Sequence, residues 1–143
     1  MVLYKGEKMV SALDVDPNKL IEKLATKLND LKKPDFIGLV KTGSHNERPP
    51  EQENFWQLRC ASILRQAYTN NLVGTNRLRR HYGGRKKRGV RPEHHRKSGG
   101  STIRKALQEL EKAGYMKKSK EGRSLTPKGR QLVDQTAKEI ANV

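Results

Sequence analysis

Leu20, Ile21, Leu24, Leu28 and Leu31 recur at spacings of three and four, the interval that returns a side chain to the same face of an α-helix. Asp16-Pro17 stands just ahead of them. An aspartate there accepts bonds from the first free amides, and a proline at the first helical position gives up an N–H that has no partner anyway. The pattern predicts a helix that starts at Asp16 and is ended by Pro34. Phe36, Ile37, Leu39 and Val40 form a brief apolar run, read as a short helix packed on the core. Residues 43–51 have the composition of a loop. Between Gln52 and Asn70, the residues Phe55, Trp56, Leu58, Cys60, Ala61, Ile63, Leu64, Ala67 and Tyr68 cover more than one helical face. A helix apolar nearly all round must be covered on several sides, so this one is expected to be central.

Gly74 interrupts the chain, and Thr75 is placed to cap a short helix reaching about Tyr82, which Gly83-Gly84 stops. From Ser101 to Ala113 the residues Ile103, Ala106, Leu107 and Leu110 share one face, and Gly114 supplies a C-terminal stop. Tyr115 to Lys118 and Arg123 to Leu125 flank Glu121-Gly122, a hairpin pattern with a turn glycine. Thr126-Pro127 repeats the cap-plus-proline signal, and Leu132, Val133, Thr136, Ala137 and Ile140 stripe the last helix. Helix, short helix, loop, helix, hairpin, helix is the order of a winged helix. The expected fold is mainly α: a winged-helix-like helical bundle around a central buried helix, with one small β-hairpin. Residues 1–9 read as an N-terminal extension, and residues 10–143 as a single domain that contains a basic loop over residues 83–100.

Charge changes this picture from a fold into a candidate function. Lys and Arg number 31 against 15 Asp and Glu, for a net charge of +16 over 143 residues. Such an excess repels itself in a compact chain, which points to a polyanionic partner. Its distribution is uneven: residues 1–53 balance, whereas residues 77–97 carry ten basic residues against Glu93 alone. A solvated surface spreads both signs, so this block marks a nucleic-acid interface. Like charges at this density do not pack on one another, and residues 83–100 are expected to be irregular and exposed until a partner arrives. Seven of the ten cations are arginine. Its planar fork suits phosphate and unpaired bases, whereas lysine acts as a point charge. The candidate contacts in the block are Arg77, Arg79, Arg80, Arg85, Lys86, Lys87, Arg88, Arg91, Arg96 and Lys97. A membrane surface fits poorly, because only Leu78, Tyr82 and Val90 could anchor the segment. No apolar run approaches the roughly 20 residues that a bilayer crossing needs.

Other chemistry finds little footing. The single cysteine, Cys60, lies mid-helix among apolar residues and reads as a core residue of a protein in a reducing compartment. His45, His81, His94 and His95 lack the paired spacing of a zinc site, so no metal and no cofactor is expected. Tyr82-Gly83-Gly84 lacks the Gly-Lys-Ser/Thr ending of a phosphate-binding loop. No paired carboxylates stand beside a nucleophile, so the chain is not expected to be an enzyme. Arg59 and Arg65 interrupt the most apolar helix, about 120° apart around its axis. Two readings stand side by side: each pairs with a carboxylate such as Glu51 or Glu53, or both emerge at an RNA-facing edge.

Several short motifs occur together in order: Phe55-Trp56-x-x-Arg59-x-Ala61-Ser62-x-x-Arg65, Tyr82-Gly83-Gly84, Gly89-Val90-x-Pro92, Leu107-Gln108-x-Leu110-Glu111 and Gly122-Arg123-x-Leu125-Thr126-Pro127-x-Gly129. Over roughly Val10 to Ala141 the chain resembles the archaeal and eukaryotic family of small-subunit ribosomal protein nineteen, which is distinct from the bacterial protein sharing the number. One departure is that the family pattern has Trp-Phe where this chain reads Phe55-Trp56. The resemblance implies a non-enzymatic constituent of the cytoplasmic ribosome, bound as a monomer to the 3′ major domain of ribosomal RNA in the small-subunit head. It further implies neighbouring ribosomal proteins as partners and a part in subunit maturation. It places Arg59, Arg65 and Arg104 on basic surfaces used in assembly, and Lys105, next to Arg104 in the chain, is a further candidate RNA contact. The rival reading is a winged-helix DNA-binding transcription regulator, with the helix from Ser101 in a major groove. Against it, the densest charge precedes that helix, and no separate dimerisation helix is evident.

Overall fold

The computed structural model describes residues 11–29, 31–34, 43, 44, 46 and 54–141. Ser11 opens it with a capping box: its hydroxyl accepts from Leu13 N–H, and Asp14 accepts from the Ser11 amide, closing a 3-10 turn over Ala12–Asp14. Helix α1 spans Pro17–Lys27. As expected, Asp16 caps it through the Asn18 amide, and Pro17 occupies the first turn. It ends earlier than the proline predicts. Leu28 closes it with a bond from its N–H to Ala25 C=O, and Leu31 N–H bonds Leu28 C=O in turn. Asn29 and Asp30 follow at once, and such residues favour turns over helix interiors. Leu28 and Leu31 stay buried nonetheless, so the apolar stripe survives the change of backbone. The apolar run at residues 36–40 and most of the loop over residues 43–51 lie outside the described residues.

Helix α2, Phe55–Asn70, is the centre of the molecule: it touches α1, the two later long helices and the last strand. Trp56, Cys60, Ala61, Ile63 and Leu64 are fully buried along it. The inverted pair places both rings inward, with Trp56 wholly enclosed and Phe55 at the margin of the core, 8 % exposed. Asn71, at φ 68, ends the helix in the left-handed region that asparagine tolerates.

Helix α3 covers Thr75–His81 behind an extended Gly74, so the cap position belongs to Gly74 and Thr75 is the first helical residue. Helix α4 runs over Gly100–Lys112 and buries Ile103, Ala106, Leu107 and Leu110, as the periodicity predicts. Gly114, at φ 87, terminates that helical segment.

Two antiparallel hairpins are present among the described residues, where the sequence predicts one. The first pairs β1, Gly84–Arg88, with β2, Arg91–Arg96, inside the segment read as an irregular loop. That expectation was wrong. Backbone bonds and a two-residue turn suffice to pair these strands, and side-chain repulsion is met by splaying the cations into solvent. The second hairpin, β3 Met116–Ser119 and β4 Gly122–Leu125, lies where predicted. Arg123 also exchanges both backbone bonds with Val73, which ties the wing to the α2–α3 connection. Gly122 must lack a side chain there, because a Cβ would stand 2.8 Å from Val73 O.

Helix α5, Pro127–Ala141, closes the core against α1 and α2. Thr126 fixes its start: the hydroxyl donates to Gly114 C=O at 2.6 Å and accepts from the Gly129 amide at 3.2 Å. The buried side chains of the five described helices form one contiguous cluster.

Candidate nucleic-acid interface

The first hairpin begins where α3 ends, and its root is seated on backbone. A Cβ at Gly83 would collide with Arg96 O and lie 3.0 Å from both Arg79 O and Lys97 Cα. Only glycine admits this approach. Ser98 N–H bonds Arg79 C=O at 2.9 Å, and Arg79 Nε returns a bond to Ser98 C=O at 2.9 Å. Arg79, one of the predicted contacts, is therefore half-buried and holds the strand-to-α4 link against α3. Ser98 itself is buried, with no hydrogen bond to its hydroxyl among the described residues.

Beyond this root the hairpin packs mainly on itself. Arg85 faces His95 and Lys86 faces His94 across the ladder, with a register shift between Lys86 and Arg88. His94 and His95 therefore fall on opposite faces, since neighbouring strand residues alternate. Gly89 turns the chain at φ 69, and Val90 at the tip is fully exposed. Every residue of β2 is exposed. Arg88 Nε bonds Pro92 C=O at 2.9 Å and stiffens the turn. None of the ten cations between Arg77 and Lys97 forms an ion pair with a described residue. Among the described residues, the hairpin is thus an arm of positive charge without ion pairs.

Arg77, Arg80, Arg85, Lys87, Arg91, Arg96 and Lys97 are exposed, while Lys86 and Arg88 are partly covered. Arg104 and Lys105 are exposed on the second turn of α4, close behind the hairpin's end. Arg59 and Arg65 belong to a different surface, on α2.

Arg59 is half-buried on α2. Glu51 and Glu53 lie outside the described residues, and the guanidinium rests on aromatic faces. Its Cζ stands 4.0 Å from the Tyr82 ring centroid and 5.1 Å from that of Phe55. A desolvated cation over such a ring is stabilised by roughly 2 kcal/mol. Tyr82 is fixed in turn by Ser62, whose hydroxyl lies 2.6 Å from the phenol oxygen. Burial pushes the Tyr82 phenol above its ordinary value, against the pull of Ser62 and of the nearby Arg59 and Arg65. Burial also lowers the Arg59 guanidinium, yet an arginine remains charged at any neutral pH. Arg65 sits near the same ring, and its Nε is buried without a hydrogen-bond partner among the described residues.

Beside this stack a groove of about 390 Å³ opens between α1, α2 and Tyr82. Asn18, Ile21 and Glu22 form one wall, and Phe55, Leu58 and Arg59 the other. Sequence reasoning missed Tyr82 as a supporting residue. The usable signal was Arg59-x-x-Ser62, two polar residues on adjacent turns of an otherwise apolar helix, which require a polar partner. It also passed over Lys117, Lys118 and Lys120, which are exposed on the second hairpin. Lys128 and Arg130 instead cover the rings of Tyr115 and Tyr68, and Arg123 bonds Glu111.

Among the described residues, no group of His, Cys, Asp and Glu could hold a metal ion, and no helix is long and apolar enough to cross a membrane. Burial pushes the Cys60 thiol up to about 12, as suits a core side chain.

Comparison with known proteins bears on this geometry. Residues 11–143 match the family described as Ribosomal protein S19e. Small ribosomal subunit protein eS19 of Aeropyrum pernix is 46% identical over 138 residues, covering 92% of this chain and 90% of that protein. The protein of the same name from Haloarcula marismortui is 44% identical over 140 residues, covering 92% of each. Small ribosomal subunit protein eS19A of Schizosaccharomyces pombe is 41% identical over 132 residues, 90% of this chain and 92% of its own length.

Proposed function

The chain belongs to the ribosomal protein S19e family, and from that membership we propose that it binds ribosomal RNA of the small-subunit head, in the 3′ major domain, and supports maturation of the subunit. As a member it is a structural constituent of the small ribosomal subunit, located in the cytoplasmic ribosome, and its role is structural rather than enzymatic. The regulator reading is not favoured, because relatives from archaea and a eukaryote carry the ribosomal name over nearly their whole length.

The observation that carries the RNA-binding reading is the first hairpin. It exposes Arg85, Lys87 and Arg91 to solvent and leaves the whole 77–97 block without ion pairs to described residues. A structured arm of this charge follows a phosphate backbone without first having to fold. Arg77, Arg80, Arg96 and Lys97 extend the surface at its root, and Arg104 and Lys105 continue it onto α4. Arg59 and Arg65 contribute from α2. Neighbouring small-subunit proteins are the expected protein partners, with the chain entering the ribosome as a monomer.

The test replaces Arg85, Lys86, Lys87 and Arg88 together by alanine. These side chains add nothing to the buried cluster, so the helical circular dichroism should persist. Affinity for small-subunit ribosomal RNA should fall. The slope of log affinity against log salt should become shallower by about 0.7–0.9 for each phosphate that is no longer neutralised. Co-sedimentation with small subunits through a high-salt wash should weaken in parallel. Unchanged incorporation of the folded quadruple variant would refute the reading.

A further inference from the structure

The groove between α1 and α2 is chemically unlike the hairpin. We propose that it is a binding site for one unstacked nucleobase of the bound RNA, stacked on the Arg59 guanidinium. This rests on the RNA-binding reading and adds a site of a different kind to it.

Three observations combine. First, the Arg59 guanidinium is a supported platform. The Tyr82 ring lies 4.0 Å beneath it, Phe55 lies 5.1 Å away, and Ser62 holds Tyr82 through hydroxyl oxygens 2.6 Å apart. A flat cation already ordered by its own protein loses little freedom when a base stacks on it, and arginine planes are regular partners of splayed-out RNA bases. Second, the groove's size suits a flat ring. Its volume of about 390 Å³ falls within the ~300–1,000 Å³ of ligand pockets, and Ile21, Leu58 and Phe55 offer apolar edges to such a ring.

Third, the charges in the groove are mixed. Glu22 stands on the wall facing Arg59, exposed and without an ion pair among the described residues. A phosphate or a carboxylate entering the groove meets Glu22, and a lysine or arginine meets Arg59. A neutral planar group whose edge carries N–H donors avoids both conflicts. A nucleobase is such a group, and Glu22 and Asn18, which line the groove, carry groups that accept from and pair with its edge. The connection to the rest of the interface is direct, because Tyr82 ends α3 and Gly83-Gly84 begins the hairpin. The ring beneath Arg59 is therefore next in the chain to the root of the hairpin.

Two full-length variants test the site against deproteinised small-subunit ribosomal RNA. Arg59→Lys keeps the charge and removes the plane. Ile21→Trp fills the groove and leaves every cation in place. Each should weaken binding by roughly five- to a hundredfold, the range that stacking of one base carries. The salt slope should be unchanged, since the same number of phosphates is neutralised. Ultraviolet irradiation of the parent complex should cross-link one nucleotide to Tyr82 or Phe55, and Ile21→Trp should abolish that product. Thermal melting checks that each variant is folded, and Arg59→Lys alone decides the matter if Ile21→Trp is not. Parent-like affinity in both folded variants, alongside a weakened hairpin variant, would overturn the base site and leave the RNA-binding reading intact. Parent-like affinity in all three would remove both. Normal RNA binding with impaired subunit incorporation would mean that a neighbouring protein fills the groove, which also overturns the proposal.

Discussion

Gly83→Ala adds one methyl group at the point where the hairpin meets the body. Gly83 does not occupy the left-handed region, so the substitution adds no backbone strain. Its effect is purely one of space. The new Cβ would collide with Arg96 O and crowd Arg79 O and Lys97 Cα, each at 3.0 Å. All three are backbone atoms, so no side chain can rotate to make room. Overpacking of this kind costs about 1–3 kcal/mol. For a chain of this length each kcal/mol lowers the melting temperature by about 3 °C, so the expected drop is about 3–9 °C. The chain can relieve part of it by swinging the hairpin away, at the expense of the two bonds between Arg79 and Ser98. In that case the Ser98 amide, now hydrogen-bonded, should exchange with solvent faster, and RNA affinity should fall although every cation remains. Gly74→Ala is the control for space alone, since a Cβ there meets nothing within 4 Å, and as the N-cap of α3 it should cost under about 1 kcal/mol. Thermal denaturation, amide exchange and RNA titration together read the outcome. If Gly83→Ala melts with the parent and keeps a slowly exchanging Ser98 amide, the hairpin is not seated as described.

Trp56→Ala empties a fully enclosed site and should cost about 3–5 kcal/mol, a large part of the ~5–15 kcal/mol that holds a domain together; chemical denaturation measures it, and a midpoint near the parent's would show that α2 is not central. Cys60 is buried and its thiol is pushed up to about 12, so it stays protonated across the neutral range; thiol reagents should modify it only as fast as the chain unfolds, and rapid labelling of native protein would contradict its burial. Deleting residues 1–8, which carry two lysines and one glutamate and lie outside the helical pattern, should leave melting temperature and subunit incorporation unchanged; a folded truncation that fails to incorporate would make that segment part of the interface.

The helices were legible because each has a face in water and a face in the core, and the contrast prints a period onto the sequence. Leu20 and Leu24, or Ile103, Ala106, Leu107 and Leu110, mark their faces unambiguously. Caps were legible where a side chain makes them, as at Asp16 and Thr126. The end of α1 was not, because Leu28 and Leu31 remain buried while the backbone leaves the helix. Periodicity reports burial, not hydrogen bonding. The surroundings of Arg59 were invisible for another reason. Its partner Tyr82 is 23 positions away and reaches it only through the tertiary fold, and spacing along the chain carries no trace of that.

The first hairpin shows the same limit from the opposite side. Strand alternation appears in a sequence only when one face is buried, and β2 is exposed at every position. Arg85-Lys86-Lys87-Arg88 therefore reads as a uniform charge run. The remaining cue was Gly89-Val90, a two-residue turn opening with a glycine at φ 69, which matches the right-handed twist of paired strands. A hairpin with no apolar face is held by its ladder, its turn and its root alone. Like charges meet across it, as at Arg88 and Arg91, and each such pair opposes the ladder by about 0.2–1 kcal/mol. A phosphate backbone lying along the arm removes that opposition, so RNA binding and hairpin stability reinforce each other. The property that hides the element in the sequence, charge on every face, is the one that fits it to a polyanion.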